Sequence, residues 1–392
     1  MRLTHGIHLA YCTNIHRGED WAETFAGLER HTLAVQARVS SGRPYAIGLR
    51  LSDRASRELI EPATFRAFQE WLKRHNAYVF TINGFPYGQF HGQRVKEQVY
   101  CPDWSRPERL EYTRRLFRIL AELLPPGVAG SVSTMPVSYK AFARTADEQR
   151  HALLQLWECV DFLEELSRQS GHDLHLGLEP EPLCTLETTG ECVEYFERLR
   201  SVRPGDRTVD RRLGVNYDCC HLAIEYESPA EALARLRSAG IRLSKIHLSN
   251  ALAVRPTVEV REALRAFAKD IYFHQVIERR PDGTLVRHAD LPEALQSQMC
   301  PPDSPLPEWR IHFHIPLHSA PQGGFDTTAD HLTGVLDAVR ADPGLCQHFE
   351  METYTWEVMP AAMKRRDVVD QLAEEYAWTL ARFAERGFHP EA

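Results

Sequence analysis

The 392 residues, 43% hydrophobic and 26% charged, suffice for one large α/β domain or two ordinary ones. A formal net charge of −8, with no long run of Lys and Arg, argues against a mainly electrostatic nucleic-acid binder, because phosphate binding needs clustered cations. No stretch approaches the ~18 apolar residues of a membrane span, and the nine cysteines follow no CxxC or repeated spacing, so free thiols and a cytoplasmic location are expected.

The opening MRLTHGIHLAYCTNIHRGEDW lacks a basic stretch followed by a long apolar one, so no secretory leader is expected there. Short apolar runs then alternate with longer amphipathic ones. Strand character falls at 6–14, 45–52, 77–84, 129–136, 174–182, 213–221, 242–250 and 346–356. Helical patterns occupy 21–39, 56–76 (Pro62 marking a helix start inside it), 107–124, 148–171, 191–202 and 229–240, where Gly240 suits a helix end.

Eight such repeats predict a (β/α)8 TIM barrel, a single domain over 1–392. Neither GxGxxG nor GxxxxGK[ST] follows the first strand, which weakens a dinucleotide or P-loop reading. The alternation fails over 251–345, read as an excursion over the barrel mouth between strands seven and eight. Within it, Pro281-Asp282-Gly283 signals a hairpin, 296–310 a loop, 308–318 a strand overlapping its end and 328–344 a helix. In the competing arrangement 308–318 is the eighth strand and 346–356 lies outside. An amphipathic helix at 365–387 closes the chain.

Four side chains at strand ends stand out: Glu179 in HLGLEPEP, Asp218 in LGVNYDCCH, His247 in LSKIHLSN and Glu352 in HFEMETYTW. Three carboxylates and an imidazole suit a divalent metal, and strand C-termini are where a parallel barrel gathers its chemistry. Alternation puts Glu179 and Glu181 on one face, Asn216 with Asp218, Lys245 with His247 and Ser249, and His348 with Glu350, Glu352, Tyr354 and Trp356. Recurring polar residues on one face predict a hydrated mouth rather than a dry core. Each residue has a plainer alternative: Glu179 as a solvated rim residue, Asp218 as a helix N-cap, His247 as a hydrogen-bonded core imidazole, Glu352 as an ion-pair partner. Asn14 and His16 after strand one, and Asn83, Tyr87 and His91 after strand three, suit substrate hydroxyls or turn caps. Glu181 and Glu187 suit sugar hydroxyls, and Tyr354 and Trp356 stacking on a substrate ring. His312 and His314 share a face and are placed to approach His221. No GxSxG is present, and no nucleophile is assigned; Cys219 is the weak candidate.

The order LEP, D-x-x-H, HLSN and a terminal E-T resembles the xylose isomerase-like TIM-barrel superfamily of sugar isomerases, ketose epimerases and endonuclease IV-type hydrolases. More narrowly, THGIHLAYCTNIHRGEDW and FTINGFPYG resemble the EboE-type metabolite-traffic proteins of pigment and secondary-metabolite export. The resemblance implies that Glu179, Asp218, His247 and Glu352 hold one divalent ion, Mn, Zn or Mg. It also implies that Glu179 and Glu352 exchange protons with the substrate, and that His221 lies near the substrate or a second metal. The nuclease-type histidines of earlier strands are replaced by Asn83 and by Ser133 or Thr134, which puts a trinuclear zinc site in doubt. The leading expectation is an isomerase or epimerase acting on a small polar metabolite, without nucleic-acid partners and with homo-oligomerisation open. A non-catalytic metabolite carrier and a metal-assisted phosphoester hydrolase are the rivals.

Overall fold

Strands that are apolar on both faces need cover on both, and a closed barrel ringed by helices supplies it. The computed structural model describes residues 1–391 except 41, 90, 92–95, 269–271, 299–300, 302–303 and 358–366, and excepting the side chains of Trp356 and Glu357. Eight parallel strands form the barrel: β1 (Ile7–Tyr11), β2 (Tyr45–Arg50), β3 (Ala77–Asn83), β4 (Gly130–Thr134), β5 (Leu174–Leu178), β6 (Leu213–Asp218), β7 (Arg242–Leu248) and β8 (His348–Met351). From β2 onwards each pairs with the next, and β8 pairs with both β7 and β1. The seam between β1 and β2 closes through a single parallel bridge, Cys12 to Gly48. Gly48 is required there: a Cβ would collide with the Glu350 carboxyl group and the Tyr11 carbonyl.

The helices begin and end where capping chemistry places them. Thr145 and Thr188 each form a reciprocal capping box with the glutamate three residues on, opening Ala146–Ser170 and Thr189–Val202. Pro62 opens Pro62–Arg74, and Gly240, at φ 66°, follows the end of Pro229–Ser238. The single helix expected over 21–39 is interrupted. Trp21–Gly27 and Leu33–Val39 are joined by a π-helical turn, Leu28–Thr32, where the Thr32 hydroxyl sits 2.6 Å from that of Tyr11.

Segment 251–345 builds a second, antiparallel sheet in the order 285–288, 276–279, 308–311, 252–254, 325–327. The predicted hairpin is its 276–288 arm, with Gly283 at φ 86° and Asp282 accepting from the Thr284 amide. Trp309, Ile311, Phe313, Val276 and Leu264 give this sheet a core of its own. The strand expected over 308–318 is shorter, Glu308–Ile311, and belongs to this sheet, so His348–Met351 is the eighth barrel strand. The residues after Ile311 leave the sheet and carry His312 and His314 towards the barrel. Ala329–Ala341 and Val368–Ala384 are the late helices. On the latter, buried Glu375 accepts from Thr353 Oγ1 (2.9 Å), tying the closing helix to the end of β8. Among the described residues no helix is long and apolar enough to cross a membrane, and the cysteines form no disulfide.

Candidate metal centre

β5, β6, β7 and β8 each deliver one side chain to the C-terminal mouth. Ligand atoms of Glu179, Asp218, His247 and Glu352 all lie within 4.8 Å of one another, and all four residues are buried. His247 Nδ1 is their centre: 3.2 Å from Glu179 Oε1, 3.4 Å from Asp218 Oδ2 and 3.1 Å from Glu352 Oε2. Asp218 Oδ2 has no hydrogen-bond partner among the described residues. A buried carboxylate oxygen left this way is costly unless a cation occupies the point it faces, so the donor set fits a divalent ion.

The remaining oxygens of the carboxylates are held by neutral donors. Asn14 Nδ2 (2.7 Å) and Asn83 Nδ2 (3.0 Å) both donate to Glu352 Oε1, and Asn216 Nδ2 donates to Glu179 Oε2 (2.6 Å). Asp218 Oδ1 accepts from Ser249 Oγ (2.7 Å) and from the His221 amide (3.0 Å), the latter as N-cap of the short helix Cys219–Ile224. The N-cap alternative for Asp218 and its place in the cluster are thus both realised, one oxygen serving each. Burial pulls the His247 imidazole down, but the carboxylates of Glu352 and Glu179 outweigh it and hold it well above its ordinary value. Burial also opposes ionisation of Asp218, and the imidazoles of His221 and His247 outweigh it.

Beside this cluster stand three more imidazoles. His221 Nε2 and His312 Nε2 are 3.1 Å apart, and the His314 ring lies 5.5 and 5.3 Å from theirs. Burial lowers His221, and lowers His312 well below the usual range, with the neighbouring imidazole of His221 adding to the second. Above both groups is a cavity with about 530 Å³ of space free of protein atoms, part of it open to solvent. Asn14, Asn83, Glu179, Glu181, His221, His312 and Glu352 line it, with Tyr100, Tyr272, Gln275 and Tyr354. Tyr100 donates to Glu181 Oε1 (2.6 Å), but burial still pushes that carboxyl well above its ordinary value.

The structure corrects other expectations. Glu187 is held by Lys140 and Arg287 and does not line the cavity. His16 stacks on His31, and Tyr87 packs edge-on against Tyr112. Trp356, considered for stacking, lies outside the described side chains. Burial raises the Cys219 thiol well above its usual range. The inward polar face is not hydrated throughout. Lys245 Nζ and Glu350 Oε2 form a fully buried pair (2.6 Å), and His348 lies at the opposite, N-terminal end of the barrel, against His8 and His175. These groups tolerate a dry interior because they pair with one another or stay neutral. Gln275, Tyr100 and Tyr272 were not foreseen. No local pattern marks them, because their approach to the cavity depends on the excursion and on the loop after β3.

No protein-family model matches the sequence, and no curated protein matches it either. Among solved structures, the fold is similar to that of L-ribulose 3-epimerase, at 12% identity and a TM-score of 0.50, over 99% of this chain and 96% of that one. It is also similar to a zinc-bound IolI protein (14% identity, TM-score 0.48, 96% and 98% covered). A probable 3-DHS dehydratase, AsbF of Bacillus anthracis, follows at 13% identity and TM-score 0.47, over 95% and 98%. The chain is thus a (β/α)8 barrel of the architecture seen in L-ribulose 3-epimerase, carrying a carboxylate–imidazole cluster at its C-terminal mouth.

Proposed function

We propose that this protein is a metal-dependent isomerase or epimerase acting on a small polyhydroxylated or carbonyl-bearing metabolite. The observation that carries the reading is the convergence of Glu179, Asp218, His247 and Glu352, with Asp218 Oδ2 unpartnered among the described residues. Bound there, a divalent ion would polarise a carbonyl and hold vicinal oxygens. Oxygen-rich ligands suit Mn or Mg, and the imidazole keeps Zn in contention. Glu179 and Glu352 are the proposed catalytic residues. Asn216 fixes one carboxylate and Asn14 with Asn83 the other, so each keeps one oxygen directed at the cluster. One takes a proton from the carbon beside the carbonyl, and the other returns one to the opposite face, a net inversion without redox change. Glu181 and His221 line the cavity and are the proposed partners of substrate hydroxyls.

The test is exchange. Protein reconstituted with Mn, Mg or Zn and incubated with free ketoses in deuterated water incorporates deuterium at the carbon next to the carbonyl, read by NMR. Retention of a metabolite without exchange or turnover of any member of a metabolite pool would favour the EboE-like carrier instead.

We further propose a second metal beside His221. Each Nδ1 of His221, His312 and His314 faces a carbonyl oxygen, of Pro180 (2.9 Å), the Gln275 amide (2.7 Å) and Glu352 (3.0 Å), and must therefore carry the proton in the neutral ring. All three Nε2 atoms are then acceptors: that of His312 has the Tyr354 hydroxyl at 3.4 Å, and that of His314 has no partner among the described residues. Zinc titration is expected to give two ions per chain, falling to one in His312→Ala/His314→Ala with the first site retained. A wild-type stoichiometry of one rejects the second site alone.

A further inference from the structure

One layer below the cluster, inside the barrel, is a group that the proposed reaction does not use. Glu350 Oε2 lies 2.6 Å from Lys245 Nζ and 2.9 Å from His247 Nε2, and Lys245 also donates to Ser133 Oγ (3.1 Å). Lys245, His247 and Glu350 are fully buried. The second oxygen, Oε1, has no hydrogen-bond partner among the described residues and occupies the space that a Cβ at position 48 would fill. Three positions of the sequence, Gly48, Lys245 and Glu350, are thus committed to placing one ionised carboxylate under one imidazole.

As a stabilising device this is a poor choice. Desolvation cancels much of a buried pair's Coulomb gain, and apolar side chains of similar size commonly serve the fold as well or better. Its geometry gives it another use. Oε2 already accepts from the Lys245 ammonium and can only accept from His247 as well, so Nε2 of His247 carries a proton, and Nδ1 is the nitrogen turned towards Glu179, Asp218 and Glu352, where a bound ion would replace its proton. A ring flip would place a carbon against Glu350 and lose that bond. The carboxylate therefore fixes both the tautomer and the direction of the only imidazole in the four-residue cluster, and makes it a better donor.

We infer that Glu350 and Lys245 are positioning residues for the metal centre: Glu350, by accepting from His247 Nε2, turns Nδ1 towards the metal, and Lys245 holds Glu350 in place. The inference rests on the proposed metal centre and adds a role for two residues that would touch neither metal nor substrate.

The deciding variant is Lys245→Met/Glu350→Leu, which removes both charges at near-constant volume. Its thermal midpoint is expected to equal or exceed that of wild type, whereas its Zn²⁺ affinity, measured by competition with a chromophoric chelator, falls about 10- to 100-fold. Glu350→Gln retains an accepting oxygen without the charge and falls between the two, which decides the matter should the double variant not fold. Unchanged affinity in a folded variant would overturn the positioning role and leave the metal centre standing. Absence of any Zn²⁺ binding by the wild type would overturn both.

Discussion

Glu179→Gln and Glu352→Gln each lose about a thousandfold or more in turnover while remaining folded. General acid–base catalysis commonly contributes factors of this size, and each carboxylate is asked both to bind the ion and to move a proton. The fold is expected to survive because an amide has the size of a carboxyl group and keeps an accepting oxygen. Asn14 and Asn83 can still donate to residue 352, and Asn216 to residue 179. Rates measured at saturating metal separate the two roles. If excess Mn²⁺ or Zn²⁺ restores full turnover, the glutamate is only a ligand. Full activity in both variants without added metal removes both residues from the mechanism. Circular dichroism on the same samples checks the fold.

Acid unfolds the barrel from its N-terminal end, with a steep loss of stability below pH 6.5. His8, His175 and His348 are buried in one layer there. His8 Nδ1 faces the Tyr78 hydroxyl (2.8 Å), and His348 Nδ1 faces Ser131 Oγ (2.8 Å). His175 Nδ1 has no partner among the described residues. Burial is the chief cause in all three: it lowers His8 to about 4 and takes His175 and His348 well below their ordinary value. The folded groups bind protons less readily than the unfolded ones. Their stabilisation is therefore complete above pH 6.5 and is lost as pH falls from there through about 4. The share of His8 alone is on the order of 3 kcal/mol at the acid limit. Urea unfolding at pH 7, 6 and 5 reads the slope. His8→Gln, which can still pair with the Tyr78 hydroxyl but does not titrate, is expected to flatten it. A slope unaltered in that variant would place the acid sensitivity elsewhere.

How far the sequence carries is clearest residue by residue. The eight strands could be read because strands covered on both faces are short apolar runs, and the helices between them carry amphipathic periods and explicit caps such as Thr145 and Glu148. The π turn at Leu28–Thr32 was hidden, because its side chains keep a helical pattern and what sets it apart are contacts with distant residues, Thr32 with Tyr11 and His31 with His16. Alternation placed Lys245 on the face of His247, and Glu350 on that of Glu352. A period of two gives direction but not depth along the barrel axis, so the buried pair and the metal cluster looked alike.

The sequence by itself determined the barrel, its first seven strands and the four candidate side chains at strand ends, because burial periodicity and strand-end position are local properties of the chain; that 348–351 rather than 308–311 is the eighth strand was decided by the tertiary structure. Only the tertiary structure decided that Asn14, Asn83 and Asn216 hold those carboxylates. It brought His312 and His314 to His221, an approach their shared face had suggested, and it alone set Glu350 beneath His247. Those contacts join residues as many as 338 positions apart. Each depends on the register at which the strands close and on the path of the excursion, which no local pattern of residue types encodes.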